Sequence, residues 1–452
     1  MLIRKTGFMY QSLRRLLQVD KTVTSRSDEE LSAEVERNYR WNYIANLLDV
    51  AFYWLGNSFA SATTIIPLFV SKLTPSPFAI GLVAIIAQSG WSLPQIFTAN
   101  VIEQLPRKKA VVINLGFFSE RLPVLLWVVA ALIVPRSPIL ALVVFLLSFA
   151  WANLGAGAVA PAWQDLIARC FPVNRRGRFL GMSLFVGAGF GALGASLSAW
   201  ILKTYPFPTN FVYTFGIAAI AIIFSWVFLS FTREPVVAIT RPKQSSRQFF
   251  SSLPDILRRD HNFSRFLLVR MVLSLGGMGV GFITVAALHR WQIPDSTVGV
   301  YTIVLLLGQT AGNLFFGWLS DRFGHKLSLE LGILAYFVSF TLAWLAPAKE
   351  WFYVVFAFSG IASGAIVVSG ILVIMEFCEP QRRPTYAGLT NTSIGLVGML
   401  APMLGAGIAN VNYSLLFAIS AAFNLIAWVA MHWWVKDPRW ANAENVLATR
   451  QF

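Results

Sequence analysis

Apolar stretches of about 20 residues recur along nearly the whole chain, and no other feature narrows its possible folds so sharply. A bilayer core of roughly 30 Å is crossed by an α-helix of about that length, in which every backbone N–H and C=O is paired within the segment. The stretches fall near 43–72, 78–100, 110–134, 138–166, 178–203 and 208–231. After a polar break they resume near 263–289, 297–319, 327–347, 352–376, 385–410 and 413–435. The expected class is an all-α membrane protein with twelve transmembrane helices. Of 452 residues, 56% are hydrophobic and only 13% charged, which sets the chain apart from soluble domains.

The net charge of +15 would suggest nucleic acid in a soluble protein, but the basic residues sit in the loops between spans. Alternate loops hold Arg107, Lys108 and Lys109; Arg169, Arg175, Arg176 and Arg178; Arg322 and Lys326; and Arg382 and Arg383. The opposite loops hold single residues, namely Lys72, Arg136, Lys203, Arg290 and Lys349. By the positive-inside rule the first set and both termini are expected in the cytoplasm, with the chain in the inner (plasma) membrane and no nucleic-acid partner.

The expected organisation follows the polar breaks. Residues 1–41 form a cytoplasmic, partly helical leader, in which Ser27-Asp28-Glu29-Glu30 reads as a helix start with a capping box, running through Trp41 into the first span. That span is expected to act as an uncleaved signal-anchor. Residues 42–231 form a first six-helix bundle. Residues 232–262, with Arg233, Arg241, Lys243, Arg247, Arg258 and Arg259, form a linker on the inner membrane surface, amphipathic around Phe249 to Ile256. A second bundle covers 263–436 and a cytoplasmic tail 437–452. Cys170 and Cys378 fall in cytoplasmic loops and are expected to be reduced.

The two bundles align with each other. Gln88 to Asn100 matches Gln309 to Asp321 at a constant offset of 221. Val143-Val144-Phe145, Ser148 and Asp165 match Val354-Val355-Phe356, Ser359 and Glu376 at 211. Arg175-Arg176 and Gly181 match Arg382-Arg383 and Gly388 at 207. Offsets that hold locally and change across loops are what duplication leaves, so two pseudo-symmetric six-helix bundles are expected, with a substrate site near the bilayer midplane.

The segment Gly317-Trp318-Leu319-Ser320-Asp321-Arg322-Phe323-Gly324-His325-Lys326 resembles the cytoplasmic signature of the major facilitator superfamily, between helices 8 and 9. The resemblance covers roughly 40–436. Asp165 with Arg175-Arg176-Gly177-Arg178 and Gly181 resembles that family's loop between helices 4 and 5. In the first half the signature is degraded: Asn100 stands where an aspartate is usual, followed by Glu103 and Arg107-Lys108-Lys109. Independently of the resemblance, a carboxylate at the inner end of a helix beside arginines of neighbouring loops makes charge-assisted bonds able to hold helix ends together in one state. Asp321, Arg322, Lys326, Asp165, Arg178, Glu376 and Arg383 are the candidates for such a cytoplasmic gate. The alternative for each is a snorkelling topology charge.

Ionisable residues within a span are costly and are functional candidates by default. Asp49 lies about two turns into the first span and corresponds, at 221, to Arg270 in the seventh. The resemblance implies that these helices face each other, which makes the pair a candidate proton or substrate site; a structural salt bridge is the alternative. Glu120 and Arg121 are adjacent in the third span, point about 100° apart on an α-helix and so do not face the same neighbour. The resemblance implies that this helix lies at the periphery of its half, so a structural role is expected for them, with proton relay the sharper alternative. Tyr53, Trp54, Asn57, Gln88, Trp151, Asn153 and Gln164 are candidates for an amphiphilic cavity or for lipid-interface belts and helix packing. Glycines Gly187, Gly189, Gly191, Gly194, Gly276, Gly277, Gly279, Gly281, Gly395, Gly398, Gly405 and Gly407 mark close helix contacts.

The sequence has no G-x-x-x-x-G-K-[ST] loop, no H-E-x-x-H and no G-x-S-x-G, so neither direct use of ATP nor enzymatic chemistry is expected. The expectation is a monomeric secondary transporter without cofactor or metal, moving a small organic solute by alternating access, with membrane lipid and protons as its other partners. Export is favoured over uptake, because the cavity candidates are aromatic and amide-rich with few fixed charges. The rival readings are an uncoupled facilitator and a transport-inactive membrane sensor or scaffold.

Overall fold

The computed structural model describes residues 11–12, 14–18, 23, 26–62, 65–74, 77–238, 245–291 and 295–439. The expected tail beyond Arg439, and Arg241 and Lys243 of the expected linker, lie outside the described residues. In chain order the helices are α1 (Asp28–Phe59), α2 (Ile65–Leu73), α3 (Pro77–Ser92), α4 (Pro94–Glu103), α5 (Lys108–Ile133), α6 (Pro138–Cys170), α7 (Arg176–Thr204) and α8 (Thr209–Ser230). They continue as α9 (Ser246–Arg259), α10 (His261–Gly276), α11 (Ile283–Trp291), α12 (Asp295–Phe323), α13 (His325–Leu345), α14 (Trp351–Phe377), α15 (Arg383–Val411) and α16 (Tyr413–Trp434).

Among the described residues nine helices are long and apolar enough to cross a membrane: α5 to α8, α10 with the 3₁₀ turn that follows it, and α13 to α16. Their outward faces carry bare apolar side chains, such as Ile139, Leu147, Leu193, Met403, Val411 and Trp433. Water would penalise such surfaces and lipid does not.

Local chemistry sets the helix boundaries. Ser27 and Glu30 form both bonds of the expected capping box, and α1 then runs without a break through Trp41 to Phe59. Pro94 divides the expected second span into α3 and α4. The glycine run at 276–281 turns the seventh expected span from α-helix to 3₁₀ over Gly277–Phe282 before it resumes as α11. In α5 the backbone is π-helical over Val111–Leu115 and again over Phe117–Arg121. That widened stretch brings the Ser119 carbonyl against Gly155 of α6, where any Cβ would collide with it.

Contacts group the chain into two compact units. Unit 1 comprises Met1–Pro172, Val186–Lys243 and Pro380–Thr392; unit 2 comprises Val173–Phe185, Gln244–Glu379 and Ser393–Phe452. The two outlying pieces, 173–185 and 380–392, are the beginnings of α7 and α15. They correspond at the offset of 207 that aligns Arg175-Arg176 with Arg382-Arg383.

In unit 1, α1 packs along α8, and α5 and α3 pack on α6. Where α5 ends and α6 and α8 begin, Phe69, Trp127, Phe145, Phe211 and Phe215 form an aromatic knot; Phe69 lies 4.9 to 5.1 Å from Phe145, Phe211 and Phe215. Contacts of this kind contribute about 0.5–1.5 kcal/mol each beyond area burial. In unit 2, α14 packs on α12 and α13, and α16 on α13 and α10. Phe356, the equivalent of Phe145 at the offset of 211, stacks on Tyr301 at 5.0 Å, and the Tyr301 hydroxyl donates to the Lys349 carbonyl. Each unit thus has an aromatic cluster at one end of its spans. The helix α9 forms where an amphipathic stretch is expected, with Phe249 and Ile256 buried and Arg258 and Arg259 at its last turn.

Candidate functional site

At the opposite end from each aromatic cluster, carboxylates meet helix N-termini. The first turn of a helix presents N–H groups with no intrahelical acceptor and the positive end of the dipole, so an anion there is stabilised. In unit 2 the Asp321 carboxylate, at the last turn of α12, accepts from the backbone N–H of Gly177 at 2.7 Å and of Arg178 at 2.8 Å, both in the first turn of α7. The Arg178 Nε lies 3.5 Å from Asp321 Oδ2, but its side chain is 61% exposed while that of Asp321 is 1% exposed. The backbone bonds therefore contribute most of this attachment, since exposed ion pairs are weak. A Cβ on Gly177 would fall 2.5 Å from Ser320 Oγ and 2.6 Å from Asp321 Oδ1 and the Gly317 carbonyl, so only glycine admits the approach.

Unit 1 repeats the arrangement with another residue. At the end of α4, Glu103 Oε1 accepts the backbone N–H of Thr385 at 3.0 Å, in the first turn of α15. At the offset of 207, Gly177 and Arg178 correspond to Pro384 and Thr385. Proline has no N–H, so one donor remains where unit 2 offers two. Close packing continues above the bond, where Gly388 lies against the backbone of Gln95 and Ile96, Asn391 Nδ2 donates to Gln95 Oε1 at 2.7 Å and the Thr392 hydroxyl donates to the Ser92 carbonyl.

A buried charge network surrounds Glu103. Asp165, with 1% of its side chain exposed, lies 3.0 Å from Arg169, 3.7 Å from Lys108 Nζ and 3.7 Å from Arg383 Nη1. Glu234 accepts the backbone N–H of Lys108 at 2.8 Å and of Lys109 at 2.9 Å, where α5 begins, and lies 3.6 Å from Arg169. Burial raises the Glu103 carboxyl above the usual glutamate range, against the opposing pull of the Thr385 bonds, Arg382 and Lys108. Burial raises Glu234 too, against Arg169 and the N–H groups of Lys109 and Lys108.

Of the expected gate residues the structure brings Asp321 to Arg178, and Asp165 to Arg383. The others have different neighbours. The exposed Arg322 lies over the rings of Trp318 and Phe323, and Lys326 pairs with Glu330 at 2.9 Å and donates to the His432 carbonyl. Glu376 lies 3.8 Å from His325 Nε2. Gly324, at φ 101°, makes the turn between α12 and α13 that separates Asp321 from Lys326. Sequence reasoning did not single out Glu103, Glu234, Lys108 or Arg169 for the gate. The available signal was Glu103 itself, one turn beyond the degraded signature position Asn100.

Within the spans, Asp49 is buried and accepts the Ser225 hydroxyl of α8 at 2.6 Å. Glu120 and Arg121 pair with each other, which an α-helical backbone disfavours and the π-helical stretch allows. The Arg121 guanidinium also lies 5.9 Å from the centre of the Tyr53 ring. Asn57 donates to the Tyr53 carbonyl, and Trp54 packs on Gly187 and keeps 45% exposure. Gln88 and Trp151 are exposed, and Asn153 packs against Gly90. Arg270 Nε and Nη1 are buried with no hydrogen-bond partner among the described residues, and the guanidinium lies beside Gly370 of α14.

Among the described residues no group of three or more His, Cys, Asp or Glu is placed to hold a metal ion.

Comparison with known proteins agrees with this architecture. The model of the Major Facilitator Superfamily matches residues 266–449. Multidrug resistance protein 1 of Bacillus subtilis (strain 168) is 24% identical over 180 residues, 40% of this chain and 46% of that protein. The chain spans less than half the length of the curated relatives it matches. Among solved structures, a bacterial homologue of the iron transporter ferroportin in an outward-facing state superposes with a TM-score of 0.70 at 14% identity, covering 87% of this chain and 98% of that one. The Major Facilitator Superfamily transporter FucP in the outward conformation gives 0.68 at 15% identity, covering 86% and 99%. The chain therefore carries the major facilitator fold, and its residues 266–449 carry the sequence pattern of the Major Facilitator Superfamily.

Proposed function

We propose that this chain is a secondary transporter of twelve spans in two six-helix bundles, 42–231 and 263–436, moving a small organic solute by alternating access. In this reading the leader, the 232–262 linker and the 437–452 tail are cytoplasmic and the chain works as a monomer in the inner membrane. The twelve spans are the nine long apolar helices together with three more formed by α1 with α2, α3 with α4, and α12.

One observation carries the reading. The beginnings of α7 and α15 are each held by a carboxylate from the opposite half of the sequence, Asp321 on Gly177 and Arg178, and Glu103 on Thr385. A rocking carrier needs bonds at its inner mouth that are strong enough to hold one state and few enough to release. Three N–H to carboxylate bonds, with Asp165 and Arg383 beside them, fit that requirement better than a permanently packed apolar contact.

Asp49 is the proposed proton site. It is a buried carboxylate with one neutral hydroxyl donor, Ser225, in a span with few other ionisable groups. Export is favoured on two grounds: the cavity candidates Tyr53, Trp54, Asn57, Gln88 and Trp151 are aromatic and amide-bearing, and a matched relative is named for multidrug resistance.

The test is reconstitution in liposomes and a screen of solutes of differing charge, with and without a proton gradient. Gradient-driven flux that disappears in Asp49→Asn supports the full reading. Flux that needs no gradient removes proton coupling, and absence of flux for every solute class favours a sensor or scaffold.

A further inference from the structure

Arg270 is a charge without a counter-charge. A guanidinium stays protonated in any protein environment, offers donors only, and is expensive to bury without an anion. Its Nε and Nη1 are buried and donate to no acceptor among the described residues, which also supply no carboxylate to pair with it. Part of the residue remains accessible, since Arg270 as a whole is half-buried.

Space is reserved for it. A Cβ on Gly370 would fall 2.9 Å from Arg270 Nη2 and 3.1 Å from Nη1, so a side chain at this position in α14 would displace the guanidinium. The preceding residue, Ser369, is also buried with an unpartnered hydroxyl. The position equivalent to Arg270 in the other half behaves differently. Asp49, at the offset of 221, finds its hydrogen bond internally from Ser225. One half therefore completes its buried charge with its own residues and the other leaves a cation open.

We infer that Arg270 receives a carboxylate group carried by the transported solute, which makes the solute an organic anion; this rests on the transporter reading above. A cation is repelled at this position, and a neutral amide offers an acceptor without the compensating charge. An inorganic anion shares the chemistry, so the test separates it from an organic one.

The purified full chain is heated in detergent with matched pairs, hexanoate and hexanamide, phenylacetate and phenylacetamide, and with sodium chloride against sodium gluconate. The expected result is a higher melting midpoint with at least one carboxylate of the pairs and none with its amide. Apparent affinity is expected to fall about tenfold or more in Arg270→Gln, the scale of a lost charge-assisted bond, and to recover partly in Arg270→Lys. Gly370→Ala, which keeps the arginine and fills its space, is expected to weaken the same response and provides a second readout should Arg270→Gln fail to fold. The inference is overturned if amides act as well as carboxylates, if no carboxylate of the pairs acts, if Arg270→Gln responds undiminished, or if chloride alone gives the whole effect. Arginine-dependent carboxylate binding with no flux in liposomes would sink the transport reading and leave the anion site; flux of neutral solutes without arginine-dependent carboxylate binding would do the reverse.

Discussion

Glu103 and Thr385 are joined by a 3.0 Å bond from the Thr385 backbone N–H to Glu103 Oε1, across 282 residues of sequence. The internal alignment places Asn100, not Glu103, opposite Asp321. An amide at position 100 carries no charge for a helix N-terminus, and the longer glutamate one turn further along reaches the same kind of target. The first half thus makes the attachment with a glutamate where the second half uses an aspartate, with one N–H instead of two because Pro384 has none to give.

Unequal attachments should respond unequally to mutation. Asp321→Ala leaves two N–H groups without their acceptor and is expected to destabilise unit 2 by about 2–3 kcal/mol. Arg178→Ala keeps both backbone donors and removes an exposed ion pair, for a loss under about 1 kcal/mol. Melting midpoints of the two variants in one detergent decide the matter; equal losses would mean that the guanidinium, not the backbone, holds Asp321.

Two glycines of α7 give a paired steric prediction. Gly177→Ala places a methyl 2.6 Å from the Gly317 carbonyl and from Asp321 Oδ1, and backbone cannot give way as a flexible side chain can. A loss of about 1–3 kcal/mol is expected, the usual range for overpacking. Gly189→Ala meets nothing within 4 Å and is expected to be neutral or slightly stabilising. Thermal unfolding that ranks the pair in the opposite order would show that α7 is not pinned at its first turn.

The pH response follows from Glu103 and Glu234, whose carboxyls burial raises above the ordinary value of 4.5. A raised carboxyl binds its proton more tightly in the folded nest than in water. Its contribution is therefore complete below 4.5 and is lost as pH rises through the higher folded value. The wild-type melting midpoint should fall as pH increases from 4.5, and Glu103→Gln, neutral throughout, should flatten part of that slope. A midpoint that instead rises over this range in wild type, or a slope untouched in the variant, would contradict the assignment.

Much of this was legible in the sequence, and what was not has physical causes. The signature around Asp321 and the offset of 207 pointed to the two helix starts that the units exchange, because duplicated segments keep their register where loops do not change. The spans near 43–72, 78–100 and 263–289 read as single apolar helices, yet the chain breaks after Phe59, at Pro94 and at Gly277–Phe282. Hydropathy is blind to backbone form. The role of Glu103 was hidden because it depends on the first turn of α15, nearly 300 residues away, and the partner of Lys326 is Glu330, one turn further along the same helix α13.

Asp49 offers the sharpest test of coupling. Its carboxylate is buried and receives one hydroxyl hydrogen bond, so Asp49→Asn keeps the shape and removes the proton-binding charge. In liposomes, accumulation driven by a proton gradient is expected to be lost while exchange of labelled for unlabelled solute, which needs no net proton movement, persists within about threefold of wild type, a change under about 1 kcal/mol. Ser225→Ala keeps the carboxylate and removes its donor, so it should retain gradient-driven accumulation with an altered pH profile. If Asp49→Asn loses exchange as completely as accumulation, Asp49 braces α1 against α8 and the proton is carried elsewhere.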